Sequence, residues 1–276
     1  MLEEDPNKMS RPPASYPHMT GPPRPPRAKT KWLPFVLSAL LAAVVVRIAL
    51  REPALAALLA LIAAVLTLPA AAARRRLRSL LRSGDVRSVL AAWSDSYARM
   101  PYPETMGPLV TAAAFASCGW VDEARTAMSR SARGPAWDAA LEHRLFVETL
   151  LDVFEGDRDA AMMKAEHLAA LPLPVAGPFA QTRVRTLRGA VAAFARAFAH
   201  RSVDGDAALL EDAGQKSPLV FWAMRYAAAV VAVDRGEPNR ARQLLEGAPR
   251  WPEQSAFSQF HAELAPLVGL PALPVG

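Results

Sequence analysis

Few residues in this chain could do chemistry, and their spacing decides how. His143 and His167 fall in adjacent helical stretches and could approach one another. Two imidazoles without a third ligand are a poor metal site. Glu148, Asp152 and Glu155 share one helical face, followed by Asp157 and Asp159. Paired carboxylates can serve acid–base work, but an exposed acidic face is the ordinary explanation. Asp157 and Asp159 also suit the positive end of a following helix. Arg185, Arg188 and Arg196 fall on a broad face of one long helix, and a solvated stripe is the expectation. Cys118 is the single cysteine and sits in the apolar stretch AAAFASCG, where a buried, inert thiol is expected. H-E-x-x-H, a glycine-rich phosphate loop and C-x-x-C are all absent from the sequence. No catalytic residue, metal or cofactor is expected, and no enzymatic activity.

The elements around these residues are more telling. Residues 32–73 form an apolar tract interrupted by Arg47, Arg51 and Glu52. As one helix it would measure about 63 Å, twice the hydrocarbon thickness of about 30 Å. Dividing it at the charges predicts a transmembrane helical hairpin, with spans 32–50 and 53–73. A re-entrant hairpin in one leaflet is the alternative, since the uncharged part of the first span is short. Pro53 suits the first position of the second helix. Lys29 and Lys31 precede the tract, and Arg74, Arg75, Arg76 and Arg78 follow it. This excess of positive charge on both flanks places both termini in the cytoplasm. Residues 74–82 form a basic juxtamembrane segment suited to anionic lipid headgroups.

Charge is unevenly distributed. The tail 1–31 carries +3, the tract +1, residues 74–82 +5, and everything beyond −3. Basicity is thus concentrated beside the tract, and nucleic acid is not expected as a partner. The tail has eight prolines and is expected to be a disordered, extended arm.

Residues 83–276 read as helix throughout. Apolar residues recur at three- and four-residue spacing, and prolines or glycines punctuate the chain every 15–20 residues. Three of these breaks share one pattern, G-x4-A-x10-P: Gly119, Ala124 and Pro135; Gly156, Ala161 and Pro172; Gly236, Ala241 and Pro252. The glycine can end one helix in the left-handed conformation, the alanine allows close helix approach, and the proline stops the second helix. Gly84 with Val89, and Gly205 with Leu210, are weaker copies. The five glycines fall 35, 37, 49 and 31 residues apart. Seven residues before each clear turn stands a small residue, Ala112, Thr149 or Ala229.

These spacings resemble the tetratricopeptide repeat (TPR) family, with its period of 34. The family's large aromatic eleven residues before the turn is missing, with Pro108, Leu145 and Arg225 in its place. The resemblance covers residues 84–267. It implies an all-α fold in which antiparallel helix pairs stack into an α-solenoid, and a scaffold that binds a protein partner without catalysis. The family's inner groove would fall at Met106, Leu109 and Ala113, at Phe146, Leu150 and Val153, and at Tyr226, Val230 and Val233. Either that groove takes an apolar helix or strand, or these residues are core. The basic and asparagine residues with which some members grip a terminal carboxylate are missing here. The expectation is therefore a membrane-anchored adaptor recruiting a protein at the cytoplasmic face. Alanine, arginine and proline abundance suggests a bacterial inner membrane. A membrane-shaping, oligomerising hairpin protein is the alternative, and a homo-oligomer fits both.

Overall fold

A computed structural model describes Arg47 and residues 53–97, 99–175 and 177–270. The tail 1–31, most of the first span 32–50, Arg51, Lys29 and Lys31 lie outside the described residues. The chain divides into two units at Pro69 and Ala70. Helix α1 runs Pro53–Arg82. Residues 74–82 are therefore helical: after Pro69 come only alanine, arginine, leucine and serine, with no glycine before Gly84. Arg75, Arg76 and Arg78 are exposed on it, as is Arg47 in its own helical position. Among the described residues no helix is long and apolar enough to cross a membrane. Several side chains between Pro53 and Arg74 are not among those described.

The second unit is all-α. Its helices are α2 (Val86–Tyr97), α3 (Pro103–Ser117), α4 (Val121–Ser129), the short α5 (Pro135–Ala139), α6 (Leu141–Glu155) and α7 (Arg158–Ala170). Next come α8 (Pro178–Phe198), α9 (Asp206–Lys216), a 3-10 turn at Pro218–Val220, α10 (Phe221–Asp234), α11 (Pro238–Leu245) and α12 (Ala256–Leu267). No strand occurs among the described residues, only an isolated bridge between Trp120 and Ser255.

The repeated glycines Gly119, Gly156 and Gly236 have φ of +77°, +83° and +73°. Ala124, Ala161 and Ala241 are fully buried, and so are Ala112, Thr149 and Ala229. Small side chains at these positions let paired helices approach, and α3 packs on α4, α6 on α7, α8 on α9, and α10 on α11. The first members also pack on one another in order, α3 on α6, α6 on α8, α8 on α10, and α10 on α12. The prolines do not stop helices as expected. Helix α4 ends at Ser129, before Pro135 opens α5, and α11 ends at Leu245, well before Pro252. Only Pro172 lies close behind its helix, α7.

The last segment returns to the first hairpin. Ala256 N donates to Gly119 O at 2.8 Å, and Ser255 Oγ donates to Cys118 O at 2.8 Å. A Cβ on Gly119 would lie 2.7 Å from Ser255 Oγ. Beside this, Trp222 Nε1 donates to Arg82 O at 2.6 Å, and Trp251 packs on Gly84 so tightly that a Cβ there would meet its ring at 2.6 Å. An open stack of repeats would keep these positions apart.

Aromatic rings fill the joint. Tyr226 stacks on Phe257 at 5.0 Å, and Phe154 meets Phe194 and Phe257 edge-on at 5.9 and 5.5 Å. Such pairs contribute about 0.5–1.5 kcal/mol each beyond the area they bury.

Candidate functional site

Helices α2, α3, α6 and α8 border a cavity of about 440 Å³. Its walls are apolar: Trp93 from α2, Val110 and Ala113 from α3, Phe146 from α6, Val184 and Leu187 from α8. Leu219 closes it from the 3-10 turn. Each residue is there for a local reason. Val110 and Ala113 are three apart on α3, as are Val184 and Leu187 on α8, so each pair presents a common face. Polar groups border the cavity at Glu142, His143, Arg188 and Ser217.

Arg188 is nine-tenths buried, and its donors are engaged. Nε donates to Glu142 at 3.1 Å, Nη2 lies 2.9 Å from the other Glu142 oxygen, and Nη1 donates to Leu171 O at 2.6 Å. Pro172 O accepts from both terminal nitrogens. The guanidinium therefore ties the loop after α7 to α6 and has no donor left for an anion. A buried charge paired and hydrogen-bonded in this way is a structural device.

The arginine stripe expected on α8 is thus divided by burial. Arg188 is buried, Arg196 pairs with the buried Asp206 (Nε to Oδ2 3.0 Å), and only Arg185 is exposed. Burial on its own would raise the Asp206 carboxyl, but bonds from Arg196 and the Val203 N–H hold it below the ordinary range.

The acidic face is likewise compensated. Asp152 is buried, with Lys164 Nζ at 2.7 Å and Arg125 Nη2 at 3.5 Å. Glu155 pairs with Arg125, and Glu148 with Lys164 at 3.7 Å. Charges from α4 and α7 thus neutralise α6, a pairing that periodicity along α6 does not reveal. Asp157 accepts from Ala160 N at 3.1 Å and caps α7. His143 and His167 are both exposed, and no cluster of metal-ligating side chains occurs among the described residues. Cys118 is buried, and desolvation pushes its thiol up to about 12.

The positions read from the sequence as groove or core divide between the two. Leu109, Leu150 and Tyr226 are fully buried in the core, whereas Val153, Val230 and Val233 border a second cleft beside Phe154 and Phe260. Met106 packs with Leu109 against Trp137. Of the named positions, Ala113 and Phe146 reach the cavity.

Two further constellations are marked by no motif. Arg133 and Arg144 both lie over the Trp137 ring, with Cζ atoms 3.6 and 4.4 Å from its centroid. A cleft of about 550 Å³, floored by Phe154, Phe198 and Phe260, carries His200 and Asp234. His200, at φ +55°, holds Nδ1 3.0 Å from both Asp234 oxygens. Glu155 and Glu263 also border that cleft, and no hydroxyl or thiol lines it.

No family model, curated protein or solved structure matches this chain.

Proposed function

We propose that this chain is a membrane-anchored adaptor whose helical unit binds a protein partner through the apolar cavity between α2, α3, α6 and α8. The carrying observation is that this cavity is apolar while its buried charge, Arg188, is fully engaged within the fold. Such a site can hold aliphatic or aromatic side chains, with the polar groups of His143 and Ser217 at its border. A TPR-like array of antiparallel helix pairs is the architecture we assign. It is supported by the shared turn spacing, the buried alanines and the serial packing of α3, α6, α8, α10 and α12. The anchor is the hairpin of spans 32–50 and 53–73, with both termini cytoplasmic, supported by its hydropathy and by the flanking basic residues.

A photo-crosslinking residue at Leu187 in the full-length chain, in native membranes, tests the adaptor. One dominant protein adduct is expected, abolished by Ala113→Phe, which fills the cavity. An adduct indifferent to Ala113→Phe, or none, would reject this reading. Cysteines at Ser10, Glu52 and the fully exposed Asp204 test topology. Positions 10 and 204 should label from one side and position 52 from the other.

A further inference from the structure

The loop between α7 and α8 keeps two apolar side chains in solvent. Val175 is fully exposed and Phe179, in the first turn of α8, is 89% exposed. A valine or phenylalanine on a slack loop could fold back onto the core, but this loop is braced. Gln181 Nε2 donates to Pro174 O at 3.2 Å, and Arg188 binds Leu171 O and Pro172 O at the loop's start. Pro172, Pro174 and Pro178 restrict the backbone further. The arrangement holds both apolar side chains in solvent beside a braced loop start.

Charge along this stretch of the chain has one sign. No Asp or Glu occurs between Glu166 and Asp204. Of the arginines on α8, Arg188 and Arg196 are neutralised by Glu142 and Asp206. Arg183 and Arg185 are exposed and form no ion pair among the described residues. Arg183 lies one turn after Phe179, on the same face of the helix.

We propose that this projection is an anionic-lipid contact, in which Val175 and Phe179 enter the headgroup region of a bilayer and Arg183 and Arg185 meet its phosphates. Apolar side chains beside uncompensated arginines are the composition of interfacial membrane elements. The bilayer interface deforms around a projecting side chain, so no preformed pocket is needed. This contact rests on the membrane location proposed above, yet it involves different residues and fails separately.

The test uses the full-length chain with Val175→Cys carrying an environment-sensitive fluorophore; the native thiol, Cys118, is buried. Protein is mixed with vesicles of phosphatidylcholine and phosphatidylglycerol, or of phosphatidylcholine alone. Flotation reports attachment and the probe reports the projection. With the anionic vesicles, a blue shift and quenching by a nitroxide near the headgroups are expected. Both should be lost with phosphatidylcholine alone, in Arg183→Gln/Arg185→Gln and in Phe179→Ser, and a probe at Asp204→Cys should stay water-like. Flotation with a water-like probe at 175 overturns the lipid contact and leaves the hairpin standing. So does a blue shift without nitroxide quenching, which reports cover by protein. A shift that survives removal of both arginines overturns the anionic-lipid assignment. Flotation abolished by the arginine changes keeps the contact and rejects the hairpin anchor, whereas no flotation at all rejects both.

Discussion

The indole N–H of Trp251 donates to the Tyr226 hydroxyl at 2.8 Å inside the core. The hydroxyl in turn lies 3.0 Å from His261 Nδ1. The hydroxyl oxygen accepts from Trp251, and its contact with the imidazole completes a buried chain from Trp251 through Tyr226 to His261. Three elements meet at this chain of bonds: α10, α12 and the segment carrying Trp251.

Burial of His261 makes stability depend on pH in a defined sense. Burial holds His261 below its ordinary value of about 6.5. The unfolded chain therefore binds this proton more readily than the folded one, so stability rises with pH through that window. The contribution is complete above about pH 6.5 and is lost as pH falls toward the lowered folded value. Thermal unfolding followed by near-ultraviolet circular dichroism should show a lower midpoint at pH 5 than at pH 7.5. His261→Gln should lower the midpoint at pH 7.5 and flatten the difference between the two. An unchanged slope in His261→Gln would assign the pH effect elsewhere.

Turn glycines should differ in their tolerance of alanine. At Gly156 and Gly236 nothing lies within 4 Å of a new Cβ. The cost there is the left-handed backbone alone, about 1–2 kcal/mol. At Gly119 and Gly84 the new carbon would also overlap Ser255 and Trp251, adding roughly 1–3 kcal/mol of overpacking. Denaturation of the four alanine variants should place 119 and 84 clearly below 156 and 236. Equal losses at all four would mean that the return segment yields without strain.

Removing Arg188 should cost far more than removing its charge partner. Arg188→Met strands the carbonyls of Leu171 and Pro172, a loss of about 3 kcal/mol for a buried charged hydrogen-bonding group. Glu142 is 39% exposed, so Glu142→Gln keeps an acceptor and should lose about 1 kcal/mol or less. Chemical denaturation of both variants checks the order, and a reversed order would contradict the bracing role assigned to Arg188.

The Cys118 thiol should be silent in the folded protein. Buried, and raised to about 12, it offers almost no thiolate at neutral pH. Alkylation by iodoacetamide should track unfolding in denaturant. Rapid modification under native conditions would show that α3 opens locally.

The helical class and the turn positions were legible because each depends on neighbours in sequence. A left-handed glycine at 119, 156 or 236 and a buried alanine five residues later belong to one tight turn. Groove and core were not separable in the sequence because periodicity gives the faces of a helix but not which face meets the next one. Leu150 and Phe146 share a helix and four-residue spacing, yet Leu150 is core and Phe146 borders the cavity. The charged rows failed for a related reason. Partners for Asp152 lie on α4 and α7, and Glu142 is 46 residues from Arg188. The junction of Ser255 with Cys118 spans 137 residues, and no local pattern encodes it.

That junction limits how the protein can grow. An open array lengthens by inserting a copy of its unit, since each unit touches only its neighbours. Here an inserted hairpin would carry the C-terminal strap away from Gly119 and Gly84, so their close fit with Ser255 and Trp251 would be lost. The number of hairpins is constrained by that meeting, and the segment that leads into the last helix, which would fray in an open array, is held here by the turns at Gly84 and Gly119.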